Sequence, residues 1–399
     1  MSAVVPSNGS PGRSPFAPFW PLDPSVAYLN HGSFGACPKA VLERQSALRA
    51  ELEREPVDFL WRTLPTRLAE ARAALGSFLG ADPDDLAFVS NATAGVNAVL
   101  RSLDLAAGDE LLTTSHVYPA CRKAMEYVAA RSGARVVVAD VPFPLVSEDE
   151  VVGPVLAAVT PRTRLALVDH VTSPTGLVLP IAPIVRWLEE RGTAVLVDGA
   201  HAPGMVPLAV RELGASYYTG NFHKWLCAPK GAAMLYARED RRAGLHPTSI
   251  SHGLTARTAR GALHDEFDWT GTDDFAPWLL VAESARTMAA MAGSLEALRE
   301  SNRALALDAR RILSRTLGIA PAAPESMIGA LVAVPLGERP DAGPGRDPLY
   351  DALFARGFRV PVFPWPTPRH RVLRVSAQRY NHASEYEALA EAVRGLLDA

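Results

Sequence analysis

Two lysines stand six residues apart in a chain that otherwise contains only two more. Lys224 and Lys230 belong to the stretch TGNFHKWLCAPKG, residues 219–231, whereas arginine is the usual basic residue elsewhere. A lysine that is desolvated in a pocket loses basicity, and its neutral amine can then form a Schiff base with a carbonyl group. Lys224 follows His223 after one apolar run, whereas Lys230 lies just before the next run and is predicted to be a solvated loop residue. We therefore predict that Lys224 is the nucleophile.

Other polar or aromatic residues also follow short apolar runs. Thr93 lies in the turn NATAGVNAVL, where free amides at a helix N-terminus favour a phosphate, although an ordinary helix cap is the alternative. His116 or Tyr118 could stack on a planar ligand or simply pack in the core. Asp198 ends a buried run, so its carboxylate requires a proton-donating partner, either a ligand or neighbouring amides. The segment DHVTSPTG adds Asp169, His170 and Ser173.

Seven apolar runs alternate with amphipathic helical patterns between residues 67 and 240. The runs are LAFVS (86–90), ELLTTS (110–115), RVVVADV (135–141), LALVDHV (165–171), AVLVDGA (194–200), ASYYTG (215–220) and GAAMLYA (231–237). They are mostly apolar on both faces, which predicts a mostly parallel, doubly wound α/β sheet with ligands beyond its carboxyl ends. The last two runs are too close for an intervening helix, which favours an antiparallel pair or a long functional loop.

The C-terminal part of the chain has a different pattern. A long helical pattern near residues 276–318 precedes the runs GALVAVPL (329–336) and RVLRVSA (371–377). We predict a large domain over residues 41–285 and a smaller α+β domain over residues 286–399, with residues 1–40 contributing to both the active site and the small domain. The proline-rich stretch VPVFPWPTPRHR (360–371) is predicted to be a loop, because proline cannot donate a hydrogen bond to a sheet.

The bulk composition excludes several classes of protein. The chain has 399 residues, a net charge of −3, and 48% hydrophobic and 21% charged residues, as in globular proteins of about two domains. It offers no basic surface for nucleic acid or membrane, and its N-terminus lacks the layout of a signal peptide. Cys37, Cys121 and Cys227 are far apart, which is typical of a reducing cytoplasm, and no Cys/His cluster has metal-ligand spacing. We expect a cytoplasmic protein that binds no metal.

The ordered set of a phosphate turn, a stacking aromatic, a strand-end aspartate and a lysine meets the requirements of pyridoxal 5′-phosphate. The chain resembles the class V aminotransferase family of fold-type I pyridoxal-phosphate enzymes, especially the branch that contains isopenicillin N epimerase. The motifs that carry the resemblance are YLNHGSFGACP (28–38), DHVTSPTGLVLP (169–180), VDGAHAPG (197–204), TGNFHKWLCAPKG (219–231), DWTGTDD (268–274) and LRVSAQRYN (373–381).

The resemblance implies roles for the residues around the cofactor ring. Lys224 would bind the cofactor covalently, and Asp198 would pair with the pyridine nitrogen. His201 would hydrogen-bond the phenolic oxygen, at a position where many members of the family have glutamine. Tyr118 would stack on the ring, with His116 as the alternative.

The resemblance also implies a phosphate cup that is completed by a second subunit. Thr93, Asn221 and His223 would hold the phosphate, and Thr272 would reach the phosphate of the neighbouring subunit, because the enzymes of this family are homodimers with shared sites. Ser173 would lie near the phenolic oxygen and the substrate amine.

The substrate side of the implied site contains a cation and two departures from the family pattern. Arg374 would clamp the substrate α-carboxylate through its two-pronged guanidinium, and Asn30 and His31 would border the pocket. Asp273 replaces the arginine of the usual GTRD motif, which implies an altered preference for anionic substrate side chains. Phe222 stands where relatives often have a small residue, and we expect it to narrow the phosphate cup.

The resemblance leaves several reactions open. An epimerase or racemase acting on the α-carbon of an amino acid or an amino-acid-containing metabolite is the first expectation. A C–S β-lyase and an aminotransferase are alternatives, and a catalytically inactive binding protein is an alternative of another class. A cysteine desulfurase is disfavoured, because that chemistry requires a loop cysteine shortly before the carboxylate-binding arginine and residues 352–373 contain none.

Overall fold

A seven-stranded sheet forms the centre of the larger part of the protein. The computed structural model describes residues 12–338 and 346–398. The sequence predicts a disordered or extended lead-in over residues 1–21, of which residues 1–11 lie outside the described part. In chain order the strands are β1 (Ala27–Tyr28), β2 (Leu86–Val89), β3 (Glu110–Thr114), β4 (Arg135–Ala139), β5 (Thr163–Asp169), β6 (Ala194–Asp198), β7 (Tyr217–Asn221), β8 (Ala233–Ala237), β9 (Leu331–Glu338), β10 (Phe358–Arg359), β11 (Val362–Pro364) and β12 (His370–Ser376).

The helices pack against these strands and connect them. They are α1 (His31–Phe34), α2 (Lys39–Arg54), α3 (Pro56–Asp58), α4 (Leu64–Leu79), α5 (Ala92–Arg101), α6 (Pro119–Ser132), α7 (Asp149–Ala157), α8 (Ile181–Glu189), α9 (Val210–Leu213), α10 (Ala262–Phe267), α11 (Ala276–Leu279), α12 (Val281–Ala292), α13 (Leu295–Leu317), α14 (Pro348–Ala355) and α15 (Ala383–Leu397). None of the helices in the described part of the chain combines the length and apolar character needed to cross a bilayer.

The large sheet has the order β2-β8-β7-β6-β5-β3-β4. Five neighbouring strands, β4, β3, β5, β6 and β7, are parallel, whereas β8 is antiparallel to both β7 and β2. This arrangement confirms the predicted fold class and the antiparallel pair of closely spaced runs. It also brings the carboxyl ends of β2, β3, β5, β6 and β7 to one edge, where ligands bind in sheets of this kind.

Apolar side chains cover both faces of this sheet. Leu165 and Leu167 of β5 pack on the face covered by α5 and α6, whereas Ala166 and Val168 pack on the opposite face with α8. Successive side chains of a strand point to opposite faces, so the polar residue that ends each strand is placed on a defined face. Asp169 therefore lies on the α5 and α6 side.

A second sheet lies near the C-terminus, with the order β11-β12-β9 and antiparallel pairing throughout. The helices α13 and α15 pack beside it, and β1 from the N-terminal segment pairs with β10. The predicted loop over residues 360–371 was wrong in part, because β11 lies within it. That strand is at the edge of its sheet, where a proline such as Pro364 does not interrupt a central hydrogen-bond ladder.

The long helical pattern near residues 276–318 forms three helices rather than one. Leu280 separates α11 from α12, and Gly293 and Ser294 separate α12 from α13. Gly293 has a φ of 93°, a conformation that favours glycine, and the Ser294 hydroxyl accepts a hydrogen bond from the Ala297 amide as the cap of α13.

Candidate active site

The first turn of α5 lies at the carboxyl edge of the large sheet. The side chain of Asn91 caps this helix by accepting a hydrogen bond from the Ala94 amide at 2.9 Å. Asn221, at the end of β7, accepts a hydrogen bond from the Ala92 amide at 2.8 Å, so its side chain orients the turn. Thr93 is half-buried in the same turn. The structure therefore brings Thr93 and Asn221 together at a helix N-terminus, which is suited to an anion.

Close packing of α5 against β7 holds this turn in place. A Cβ atom on Gly95 would lie 2.4 Å from the Oγ1 atom of Thr219, so only glycine permits this approach. Thr219 is fixed in turn, because its hydroxyl donates a hydrogen bond to the Met234 carbonyl of β8 at 2.7 Å. The turn is thus attached to two neighbouring strands.

The amine of Lys224 lies in the loop between β7 and β8, at the same edge. Its Nζ atom is 3.1 Å from the Nε2 atom of His201. Burial, together with the positive charge of Arg374, lowers the pKa of Lys224 to about 7, although the negative charge of Asp198 acts in the opposite direction. A large fraction of the lysine is therefore the neutral, nucleophilic amine near pH 7.

His201 is a fully buried, neutral neighbour of this lysine. Burial is the main cause that lowers the pKa of His201 well below its usual range, and the positive charge of Lys224 acts in the same direction. The Trp225 indole N–H donates to the Nδ1 atom of His201 at 3.4 Å. Because Nδ1 accepts, the Nε2 atom is the protonated nitrogen and can donate toward Lys224 or toward an oxygen in its place.

Asp198 occupies the end of β6 and is also buried. Its Oδ2 atom accepts a hydrogen bond from the Cys121 thiol at 3.2 Å, and its Oδ1 atom accepts one from the Ala200 amide at 3.0 Å. Each carboxylate oxygen can accept more than one hydrogen bond, so Asp198 retains capacity for a further donor.

Arg374 of β12 brings a positive charge from the small sheet to this edge. It is 1% exposed and donates hydrogen bonds to the carbonyl of Ser173, to the Ser33 hydroxyl at 3.0 Å and to the Asn30 side chain at 3.5 Å. Within residues 12–338 and 346–398, no carboxylate forms a salt bridge with this guanidinium. Burial lowers the pKa of Arg374 to about 10, so it remains charged at neutral pH. A ligand carboxylate would compensate this charge.

The structure does not place His31 at the border of the substrate pocket, where it was expected. Both of its ring nitrogens are engaged within the protein, one with the Tyr380 hydroxyl and the other with the Lys224 carbonyl, each at 2.8 Å. Burial lowers the pKa of His31 to about 3, so it is neutral. His31 is fully buried behind Lys224 and supports its backbone, whereas its neighbour Asn30 contacts Arg374 directly.

The two aromatic candidates for the ring platform have different environments. His116 is fully buried, with its ring nitrogens 2.7 Å from the Thr175 hydroxyl and 3.0 Å from the Val141 carbonyl, and it packs edge-on against Trp365. Tyr118 is 40% exposed and immediately precedes α6. Both lie beyond the end of β3, and their relative roles toward the ring stay a prediction.

The remaining predicted residues lie in two places. His223 is adjacent to Lys224, and burial lowers its pKa to about 4. Thr272 and Asp273 are exposed in a loop, and their roles at a subunit interface and substrate entrance stay predictions.

Phe222 was wrongly expected to narrow the phosphate cup, because its side chain is fully buried in the hydrophobic core of the large sheet.

Three residues of this site had no predicted role. The sequence indicates Cys121 only as a free thiol, gives no sign of Ser33, and places Asp169 at a strand end. For Asp169 a signal was available, since it ends a buried run in the same way as Asp198. The contacts of Cys121 and Ser33 depend on the packing of distant segments, and no local pattern indicated them.

The residues present fit pyridoxal 5′-phosphate. The Nδ1 atom of His223 is buried without a hydrogen-bond partner in the described chain, and His223 lies two residues after Asn221, whose side chain orients the turn that contains Thr93. The groups at this edge are the N-terminal turn of α5 with the Thr93 hydroxyl, a partly neutral lysine amine and an aspartate with hydrogen-bonding capacity. These are the groups that a phosphate, an aldehyde and a pyridine nitrogen require. Fold and site together define a fold-type I pyridoxal-phosphate enzyme.

Comparisons with known proteins agree with this definition. Residues 38–333 match the family described as aminotransferase class-V. Isopenicillin N epimerase from Streptomyces clavuligerus is 37% identical over 390 residues, which cover 94% of this chain and 96% of that protein. A probable chloroplastic L-cysteine desulfhydrase from Arabidopsis thaliana is 29% identical over 399 residues, which cover 94% and 84%. The chain belongs to the class V aminotransferase family, and its cofactor is pyridoxal 5′-phosphate.

A solved structure shares the fold. The complex of the cystine C–S lyase C-DES with its reaction product, cysteine persulfide, matches with a TM-score of 0.76 at 23% identity, covering 92% of this chain and 97% of that one. The predictions of family, fold class and cofactor are confirmed. The expectation that the protein is not a cysteine desulfurase stays a prediction, because a shared fold does not identify the reaction.

Proposed function

We propose that the protein is an epimerase or racemase that acts on the α-carbon of an amino acid or an amino-acid-containing metabolite. One observation carries the proposal. Lys224, whose pKa is lowered to about 7, and the buried guanidinium of Arg374 lie at the same edge of the sheet. The similarity to isopenicillin N epimerase over nearly the whole chain favours this reaction over the alternatives.

In this proposal each side chain has a defined task. Arg374 binds the substrate α-carboxylate and thereby fixes the orientation of the α-carbon. The Lys224 amine removes the α-proton, since a base with a pKa near the working pH is effective in proton transfer. When bound, the cofactor supplies an electron sink for the resulting negative charge. Asp198 keeps the pyridine nitrogen protonated, and His201 donates a hydrogen bond near the phenolic oxygen.

A C–S β-lyase is the second candidate, and the similarity to L-cysteine desulfhydrases favours it. Both reactions begin with removal of the α-proton and differ in the fate of the substrate. Incubation with a panel of L-amino acids in deuterated water separates them. Deuterium at the α-carbon with inversion and without keto acid supports the epimerase, whereas release of pyruvate and sulfide supports the lyase. Formation of keto acid with loss of the amino group to the cofactor would support an aminotransferase.

The assignment of the lysine is tested by a matched pair of variants. Lys224→Ala should abolish the visible absorbance band of lysine-bound cofactor. Lys230→Ala should leave it, because Lys230 is exposed and its amine contacts only the Gly35 carbonyl, at 3.2 Å, within the described chain. Loss of the band in Lys230→Ala alone would overturn the assignment. A wild-type protein that shows no band after addition of cofactor would instead be a binding protein without this chemistry.

We also propose a cytoplasmic homodimer with shared active sites. The exposed loop that carries Thr272 lies near Trp61, which is 70% exposed and stacks on Trp269 with a centroid distance of 5.8 Å. An exposed aromatic surface of this kind favours a protein partner. Light scattering should give twice the chain mass, and Trp61→Asp should shift it toward the single chain. A monomeric wild-type protein would contradict the proposal.

A further inference from the structure

Two buried aspartates end neighbouring strands of the large sheet. Asp169 of β5 and Asp198 of β6 are direct register partners in the parallel ladder, so their side chains share one face. They are 2% and 3% exposed. Only Asp198 has a role in the proposed chemistry, and Asp169 is a second carboxyl beside it without an assigned task.

The hydrogen bonds of the two carboxyls differ. Asp198 accepts from the Cys121 thiol and from the Ala200 amide, and both contacts stabilise its ionised form. The Oδ2 atom of Asp169 is buried and has no hydrogen-bond partner within the described chain. A charged oxygen without a donor is costly in a low-dielectric interior, whereas a protonated oxygen is much less so.

Two adjacent buried carboxyls cannot both be ionised at low cost. Burial raises the pKa of Asp169 well above its usual range, and the negative charge of Asp198 acts in the same direction, whereas the backbone amides of Tyr118 and Asp169 act against the shift. Burial also raises the pKa of Asp198, but the hydrogen bonds from Cys121 and Ala200 lower it. The proton of the pair therefore belongs on Asp169.

We propose that Asp169 and Asp198 act as one carboxyl pair that retains a single proton, carried by Asp169, so that the sheet edge presents one negative charge to the cofactor's pyridine nitrogen. Asp169 is a positioning residue, because it acts through Asp198 and through the charge of the edge. The proposal concerns the cofactor site and holds for whichever reaction the enzyme performs.

The proton on Asp169 also affects the protonation of Lys224. The ionisable groups that face Asp169 are Asp198 of β6, Cys121 of α6 and Lys224 of the loop after β7. A second negative charge at this edge would favour the ammonium form of Lys224. By keeping its proton, Asp169 leaves one anion for the ring nitrogen and leaves the lysine amine free to react.

The protonation of Asp169 can be measured directly in the full-length protein prepared without cofactor. Infrared difference spectra of wild type minus Asp169→Asn at pH 8 should contain the carbonyl stretch of a protonated carboxyl, which shifts in deuterated water. Asp268→Asn is the matched control, since Asp268 is a buried carboxyl with an arginine partner, and its difference spectrum should show carboxylate bands. Carboxylate bands in the Asp169 spectrum would overturn the proposal.

The pH dependence of unfolding gives an independent readout. In the unfolded chain Asp169 ionises above a pKa of about 3.9, whereas the folded protein holds it protonated. Folded wild type should therefore lose stability relative to Asp169→Asn as the pH rises from about 4, by roughly tenfold per pH unit in the unfolding equilibrium constant. Urea titrations at several pH values measure this difference. Parallel pH profiles for the two proteins would show that Asp169 is ionised in both states and would overturn the proposal.

The effect on the site is read from the visible band of cofactor bound to Lys224. Asparagine is an uncharged donor of similar shape, so Asp169→Asn should retain the wild-type midpoint when the band is titrated with pH. Removal of a negative charge from this edge would instead lower the midpoint, because the protonated form would lose a stabilising anion. A lower midpoint in Asp169→Asn would therefore show that Asp169 is ionised in the wild type and would overturn the proposal.

Discussion

Arg72 and Arg374 are both buried and both lie over an aromatic ring, but only Arg72 has a carboxylate partner. Arg72 is 4% exposed, pairs with Asp268 and lies 5.3 Å from the centroid of Phe88. Arg374 is 1% exposed, lies 5.1 Å from the centroid of Phe363 and contacts carbonyl, hydroxyl and amide oxygens. No carboxylate in the described residues forms a salt bridge with it.

The difference supports our proposal that Arg374 binds a ligand anion, whereas Arg72 has a structural role. In both cases burial is the main cause that lowers the arginine pKa, but the charge of Asp268 opposes the shift at Arg72. A buried charge that is already compensated stabilises one arrangement of the chain and has little left to offer a ligand. A buried charge held only by neutral oxygens gains most when an anion arrives, which is the property that a carboxylate clamp needs.

The largest effect should follow loss of the structural cation. Among the described residues, Arg72→Leu leaves Asp268 buried with only the more distant Arg260, at 3.5 Å, and should lower the free energy of unfolding by about 3–5 kcal/mol at neutral pH. Burial already raises the pKa of Asp268 to about 6, so the loss should decrease as the pH falls and Asp268 takes up a proton. Urea denaturation measures both effects.

An exposed ion pair provides the control for this prediction. Arg49 pairs with Asp274 at 2.7 Å and its side chain is 55% exposed. Arg49→Leu should therefore change the free energy of unfolding by less than about 1 kcal/mol. An equally small change in Arg72→Leu would show that burial does not distinguish the two pairs.

The next largest effect should follow loss of the binding cation. Arg374→Leu leaves no carboxylate unpaired in the described chain, so the protein should remain folded with nearly wild-type stability. Its KM for the amino-acid substrate should rise roughly ten- to a hundredfold. Hydrogen bonds to a charged group contribute about 1.5–3 kcal/mol, and each 1.4 kcal/mol or so corresponds to a factor of ten in affinity. Steady-state kinetics and urea denaturation of the same preparation separate binding from folding. A destabilisation as large as that of Arg72→Leu would remove the distinction between the two arginines.

Much of the candidate site was predictable from the sequence, because strand ends are local features. The apolar runs located β2–β8, and the residues that follow them, Asp198 and Lys224, lie at the predicted edge. The resemblance indicated Arg374 as the clamp, and the structure places it beside Ser173 and Asn30.

The contacts that come from packing between distant segments were not predictable in the same way. His31 lies next to Asn30 in the sequence, yet it is buried behind Lys224, because the N-terminal segment passes between the lysine loop and Tyr380. Nothing near Cys121 in the sequence indicates its contact with Asp198. Arg72 was indistinguishable from the other arginines until its partner Asp268 was known.

A third cation, the half-buried Lys224, extends the comparison because it can lose its proton. Burial lowers its pKa to about 7, so the neutral fraction of the amine should rise roughly tenfold between pH 6 and pH 8. The initial rate at which added cofactor develops its visible absorbance should rise by the same factor and level off above pH 8. Stopped-flow absorbance measures this rate, and the end-point band intensity controls for weaker cofactor binding. A rate that keeps rising tenfold per unit beyond pH 9 would indicate an unshifted lysine.

The smallest effect should come from the rings beneath the two arginines. A cation over an aromatic face contributes about 0.5–1 kcal/mol at exposed sites and about 2 kcal/mol when desolvated, and leucine retains part of the apolar contact, so replacement of either ring should cost less than loss of the arginine above it. Phe363→Leu should raise the KM for substrate a few-fold and leave the urea midpoint unchanged, since Phe363 is half-buried on the edge strand β11. Phe88→Leu should do the reverse, because Phe88 is buried beneath a compensated arginine and stacks on Trp278 with a centroid distance of 5.4 Å. If both variants changed stability and neither changed KM, the ring beneath Arg374 would be part of the core rather than part of the substrate clamp.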